Sequence, residues 1–505
     1  MPILKFLYCC FIFSDILYCE LLGQNILMKY VSLFSIFILL SLCEVKSDEI
    51  SLPIIGDTLS GVVSNQQEIR MGQAWLKMFR SQVKELNDPL IKSYVENLIY
   101  NLATFSELSN PKLEIVIVPN ETINAFAVPG GVIGLHTGLF DYAETEDQFA
   151  SVMAHELAHL SQRHFARRIE KSKDNSITGL ASLLAGLVLA STLGGDAAMA
   201  AITAGQAYSA ENQLRYSRSN EKEADRVGLD TMKKAGRDPR ASAQMFEIML
   251  KQVRHFGDRP PEFLLTHPVT ENRLADAKAR TLSEPRKFFS KSTKYQIIKA
   301  RAKVLTSKDL TNLESLYRNA IKTSRDKSFG AQYGLSLVLS KLNRHSEARF
   351  IMDQVLNARS EKIALVYSDI ELDLNASRIT VAFDKIKNAL KKYPNNVSLL
   401  SLRAEAFWET EQYQNAALDF RKLVIDRPNE PFYWYQLAEI EGLAGNILNV
   451  HLARAEYFIR VGAFDNAEEQ LATAKTISGA DFKTAAVVRQ RLTDVEKMRE
   501  NAEKM

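Results

Sequence analysis

A 34-residue register runs through the second half of this chain and leaves few folds open to it. Ala348, Ala382 and Ala416 stand 34 residues apart, and so do Pro394 and Pro428. Within Val397 to Glu430, Ala404, Ala416, Phe420 and Pro428 fall at offsets 0, 12, 16 and 24. Ala455 and Ala467 repeat the 12-residue spacing, with Leu471 in the next position. From about residue 290 onward glycine and proline are sparse, and apolar residues recur at helical intervals. A repeat of this length is one helix pair that cannot bury its apolar face alone, so successive pairs must stack. An ordinary helical bundle with chance alanines would not hold register over three successive repeats.

The small, small, aromatic and proline positions are those of a tetratricopeptide repeat. Residues 295–485 are therefore expected to form an all-α solenoid with a concave binding face, followed by a charged tail over 486–505. A chain of 505 residues needs more than one domain, and the first half has a different pattern. Ile91 to Leu102 reads as helix. Lys112 to Pro119 is a β-rich run closed by proline. Thr122 to Val128 and Val132 to His136 read as two further strands, parted by the turn Pro129-Gly130-Gly131. Glu144 to Arg168 then reads as one long helix. This mixture assigns residues 48–285 to a separate α+β domain.

All four cysteines (Cys9, Cys10, Cys19 and Cys43) lie in the first 43 residues, so the body of the chain has no thiolate for a metal or a disulfide. Any metal must be held by His, Asp and Glu. A net charge of +3 with no block of five or six like charges argues against nucleic acid as a partner. Met28 and Lys29 precede an apolar run, Tyr30 to Cys43, and Val45-Lys46-Ser47 offers a cleavage site. Residues 1–47 thus read as a signal peptide with a spurious extension ahead of Met28. The alternative is an uncleaved anchor, although 14 residues are short of the roughly 20 that a span needs. A lipoprotein is disfavoured because Leu42 stands where a small residue should precede Cys43. An exported, soluble protein is the expectation.

The chemistry is carried by His155-Glu156-Leu157-Ala158-His159, an HExxH inside the long helix. Positions i and i+4 share a helix face, so both imidazoles reach one ion. Glu156 is placed to take a proton from water at the remaining coordination position, where zinc lowers the pKa of water to about 7. A catalytic zinc needs a third protein ligand. The stretch Ser217 to Asp225 offers Glu221, with Asp225 one turn further along the same predicted helix. A ligating carboxylate with an acidic neighbour suits a supported metal site. Ile177 to Leu193 is apolar and near the lower limit for a span, and Ala197 to Ala207 continue its small-residue pattern. Because 177–207 separates the two ligand segments, capping helices or a peripheral membrane contact are expected there.

HELAH, the downstream SRxxExEADxxG (Ser217 to Gly228) and the upstream NAFAVPGG (Asn124 to Gly131) together resemble the gluzincin metallopeptidases, which include the prenyl-protein CAAX peptidases. The order of export signal, peptidase and repeats is most similar to the soluble periplasmic branch of that family. The resemblance implies an α+β zincin-type domain and one zinc at His155, His159 and Glu221. It also implies Glu156 as base and Asp225 as proton donor or orienting acid. Asn124 to His136 would flank the catalytic helix, as an edge where an extended peptide can pair. His267, in Thr266-His267-Pro268, matches a position where a histidine can fill the open zinc site at rest; from the residues alone it is a loop histidine. His164 reads as structural, and His136, His255, His345 and His451 receive no role. The implied substrates are outer-membrane proteins stalled in assembly, and the implied partner is the β-barrel assembly machinery. The rival reading is a chaperone or assembly factor whose repeats do the work while the peptidase stays latent.

Overall fold

The computed structural model describes residues 63–171, 210–256, 262–284, 292–323, 328–359, 363–479 and 481–503. The expected signal segment and the apolar stretch 177–207 lie outside the described residues. Among those described, no helix is long and apolar enough to cross a membrane.

Helix α1 (Asn65–Gln82) starts at Ser64, whose hydroxyl accepts from the Gln67 amide while the Gln67 side chain accepts from the Ser64 amide. Asp88 caps α2 (Pro89–Phe105), which opens on a proline that needs no amide partner. Strands β1 (Glu114–Val118), β2 (Ala125–Val128) and β3 (Val132–His136) form one sheet in the order β1-β3-β2. β1 runs parallel to β3 and β2 antiparallel to it. Each strand lies within a run expected from the sequence. Successive side chains take opposite faces: Val116, Val118, Phe126, Val128 and Val132 pack on Trp75 and Phe79 of α1. Ile115, Ile117, Ala125, Ile133 and Leu135 face the larger core with α2. The β2–β3 turn carries Gly130 and Gly131 at φ of 78° and 88°. There α1 comes so close that a Cβ on Gly72 would sit 2.0 Å from the Pro129 carbonyl oxygen.

After a short α3 (Gly138–Tyr142), the long helix expected over 144–168 is two: α4 (Glu146–Ser161) and α5 (His164–Lys171). No glycine or proline marks the break. The chain turns because Arg163 adopts a left-handed φ of 50°, held by its guanidinium on Glu68 Oε2 at 3.0 Å and on the Val63 carbonyl. Helices α6 (Ala210–Lys234), α7 (Arg240–Phe256), α8 (Glu262–Thr266) and α9 (Glu271–Thr281) follow.

Six helix pairs come next: α10 (Thr293–Thr306) with α11 (Leu310–Thr323), α12 (Ser328–Lys341) with α13 (His345–Arg359), and α14 (Ile363–Asn375) with α15 (Ile379–Lys392). Then come α16 (Val397–Glu409) with α17 (Tyr413–Asp426), α18 (Pro431–Leu443) with α19 (Ile447–Arg460), and α20 (Phe464–Ser478) with α21 (Phe482–Glu503). Second helices begin at His345, Ile379, Tyr413 and Ile447, a 34-residue step each time. Ala348, Ala382 and Ala416 are all but inaccessible, since only a methyl fits where neighbouring helices meet. The charged tail expected over 486–505 is instead the larger part of α21. Its Val488 and Val495 are fully buried against Ala467, Leu471 and Ala474, so spacing rather than charge decided its fate.

The repeats do not stand apart from the α+β domain. Tyr295 of α10 is buried among Tyr94, Phe140 and Phe149 and donates its hydroxyl to the Ala143 carbonyl at 2.8 Å. Arg301, 2% exposed, joins Asp88 of the α2 cap to Glu371 of α14, with nitrogen–oxygen distances of 2.7 Å to each. Lys92 and Glu96 of α2 pair with Glu430 and Arg427 at 2.8 and 2.6 Å. Helices α10 and α16, and the turn between α17 and α18, thus bear on α2. The boundary expected near 295 falls inside a continuous core.

Candidate metal centre

Helix α4 is capped reciprocally by Thr145 and Gln148, and it is buried without a break from Gln148 to Ala158. It is an interior helix, and Ala150, Ala154 and Ala158 let neighbours approach it closely. Helix α6 crosses it with Gly228, whose Cβ would lie 3.2 Å from backbone atoms of Ala154 and His155. A side chain there would push apart the two helices that carry the expected ligands.

These helices bring His155 and His159 of α4 to Glu221 of α6. His155 Nε2 is 3.3 Å from Glu221 Oε2, His159 Nε2 is 3.4 Å from Glu221 Oε1, and the two Nε2 atoms are 3.0 Å apart. His267, just beyond α8, enters the same cup. Its Nδ1 lies 3.0 Å from Glu221 Oε1, its Nε2 lies 3.7 Å from Glu156 Oε1, and its ring stacks on Phe263 at 4.8 Å. One ligand atom from each of His155, His159, Glu221 and His267 falls within 4.8 Å of all the others.

The electrostatics suit a cation. Burial raises the pKa of Glu156, which is 0% exposed, and neither of its carboxylate oxygens has a hydrogen-bond partner among the described residues. Burial drives His159 well below its usual value and so keeps a lone pair free. Burial would also lower His155, but Asp225 and Glu221 outweigh it and push the ring up to about 10. Without a metal, then, a proton on His155 balances the carboxylates; a dication at the converging nitrogens would serve the same balance. The donors are nitrogen and oxygen only, a set that suits zinc.

A second layer surrounds the cup. Asp225 Oδ1 is 3.0 Å from His155 Nδ1. Arg273 of α9, buried, grips Asp225 with Nε and Nη2 at 2.7 Å each, reaches Glu221 Oε2 at 3.0 Å, and donates to the Pro268 carbonyl at 2.9 Å. Burial opposes the charge on Arg273, but Asp225 and Glu221 hold its pKa above the ordinary value. Sequence reasoning missed Arg273, because nothing around it distinguishes it from a solvent-facing arginine in a first helical turn. His136, given no role, is fully buried and pushed down to about 3 by that burial; its neutral ring lies 2.8 Å from Thr122 Oγ1 beside β2.

A buried HExxH helix crossed by a glutamate-bearing helix, with a basic carboxylate left free beside the converging donors, defines a metallopeptidase. The comparisons with known proteins agree. Residues 89–281 match peptidase family M48. The β-barrel assembly-enhancing protease of Escherichia coli K12 is 32% identical over 428 residues, covering 84% of this chain and 87% of that protein. The putative β-barrel assembly-enhancing protease of Vibrio cholerae is 32% identical over 81% of this chain and 85% of its own. The mitochondrial metalloendopeptidase OMA1 of Schizosaccharomyces pombe is 30% identical over 42% of this chain and 60% of its own. Among solved structures, a tetratricopeptide repeat protein of Parabacteroides merdae aligns with 50% of this chain at 14% identity, with a TM-score of 0.27 that is too low to carry weight. The chain belongs to peptidase family M48.

Proposed function

We propose that the chain is a zinc-dependent endopeptidase of the bacterial periplasm that removes outer-membrane proteins stalled during assembly. The observation that carries the reading is the convergence of His155, His159, Glu221 and His267 beside the unpartnered Glu156 carboxylate. His155, His159 and Glu221 would hold the ion, whose Lewis acidity polarises a scissile carbonyl and acidifies water. Glu156, buried and raised in pKa, is the base that takes the proton of the attacking water and returns it to the departing amide nitrogen. Asp225 orients His155 through Nδ1, and Arg273 fixes Asp225 in turn. His267, which converges on the same donors, would hold the ion as well at rest and block the approach of substrate.

In this reading residues 48–285 perform hydrolysis and the repeats from 295 recruit. The names of the bacterial relatives, which cover most of this chain, support β-barrel assembly as the setting and the assembly machinery as the partner. Tethering a client to the repeats would raise its effective concentration at the cleft. The packing of His267 in the cup also favours the second reading, an assembly factor with a latent peptidase.

One experiment in cells separates the two. In cells lacking this chain, outer-membrane proteins are expected to accumulate as stalled species, measured by quantitative mass spectrometry of the envelope. Wild type should clear them and Glu156→Gln should not. Full clearance by Glu156→Gln would favour the assembly factor over the peptidase.

A further inference from the structure

His164 stands five residues beyond His159. On a continuous helix it would lie about 140° round from it, pointing elsewhere. The left-handed Arg163 ends α4 and brings the chain back, so that His164, 5% exposed, sits against His159 with their Nδ1 atoms 2.9 Å apart. Two facing ring nitrogens attract only if one carries the proton and the other a lone pair. His159 must offer its Nε2 lone pair to the cup, so its proton is on Nδ1. His164 Nδ1 then accepts, its own proton is on Nε2, and that atom faces Glu223 Oε2 at 3.2 Å. Arg167 holds the same oxygen at 2.6 Å.

We propose that His164 is a positioning residue, which fixes the tautomer and the orientation of His159 through the chain His159–His164–Glu223–Arg167. The proposal rests on His159 being a metal ligand. It gives His159 a carboxylate at one ring's remove, whereas His155 Nδ1 lies 3.0 Å from Asp225 Oδ1 without hydrogen-bond alignment.

The test is zinc affinity of the purified full-length protein, read by competition with a chromophoric chelator. His164→Leu removes the acceptor and should weaken binding about tenfold to a hundredfold. His164→Asn can place its Oδ1 where the ring Nδ1 stood and should restore most of that loss. Equal affinity in wild type and His164→Leu overturns the proposal, as does an equal loss in the Leu and Asn variants. If His164→Leu fails to fold, Glu223→Leu at a partly exposed position should show a smaller loss in the same direction, and no loss there overturns the proposal too. Zinc bound by none of these proteins, wild type included, would overturn the metal centre itself.

Discussion

Glu156→Gln is expected to bind zinc as the wild type does and to lose proteolysis by a factor of about 10² to 10⁴, the usual contribution of a general base. The carboxylate lies outside the set of donors that converge on one another, so its loss should leave the ion in place. Glutamine has the same shape but cannot take a proton. The change should not weaken the fold, because it removes a fully buried carboxylate without hydrogen-bond partners among the described residues. Casein hydrolysis, zinc content and thermal unfolding are the measurements. A variant that cleaves casein at the normal rate would refute the assignment.

His267→Ala is expected to act in the opposite direction. The resting enzyme should show low activity on generic substrates, since His267 contacts Glu221 and stacks on Phe263. A hydrogen bond to a charged group is worth about 1.5–3 kcal/mol. If that holds the side chain in place, the open form is of the order of a tenth to a hundredth of the population. Activity should then rise about tenfold to a hundredfold on its removal. Self-cleavage should rise with it. Unchanged or lower activity, with zinc content and fold intact, would sink the gating role.

The parts of the molecule legible in the sequence are those governed by local spacing. The 34-residue step between second helices follows from alanines that must be small where helices touch. Strands β1 to β3 follow from β-rich runs and the Pro129-Gly130-Gly131 turn. His155 and His159 share a helix face by arithmetic alone. Glu221, Asp225 and His267 came from motif and resemblance, and the structure brings Glu221 and His267 into one cup and sets Asp225 behind His155. What escaped depends on one dihedral or on distant partners. A single left-handed residue, Arg163, splits the long helix and turns His164 from a bystander into a neighbour of His159. Arg301 meets Asp88 across 213 residues of sequence, and no local pattern announces that the repeats pack into the core of the peptidase. That packing sets α10 and the turn ahead of α18 against α2 and its cap.

The most direct measurement is metal content set against activity in one preparation. Purified wild-type protein should carry one zinc per chain by mass spectrometry of the metal. Chelation should abolish casein hydrolysis, added zinc should restore it, and Glu221→Ala should retain neither metal nor activity. Full hydrolysis by metal-free protein, or zinc held undiminished by Glu221→Ala, would contradict a catalytic metal held by His155, His159 and Glu221.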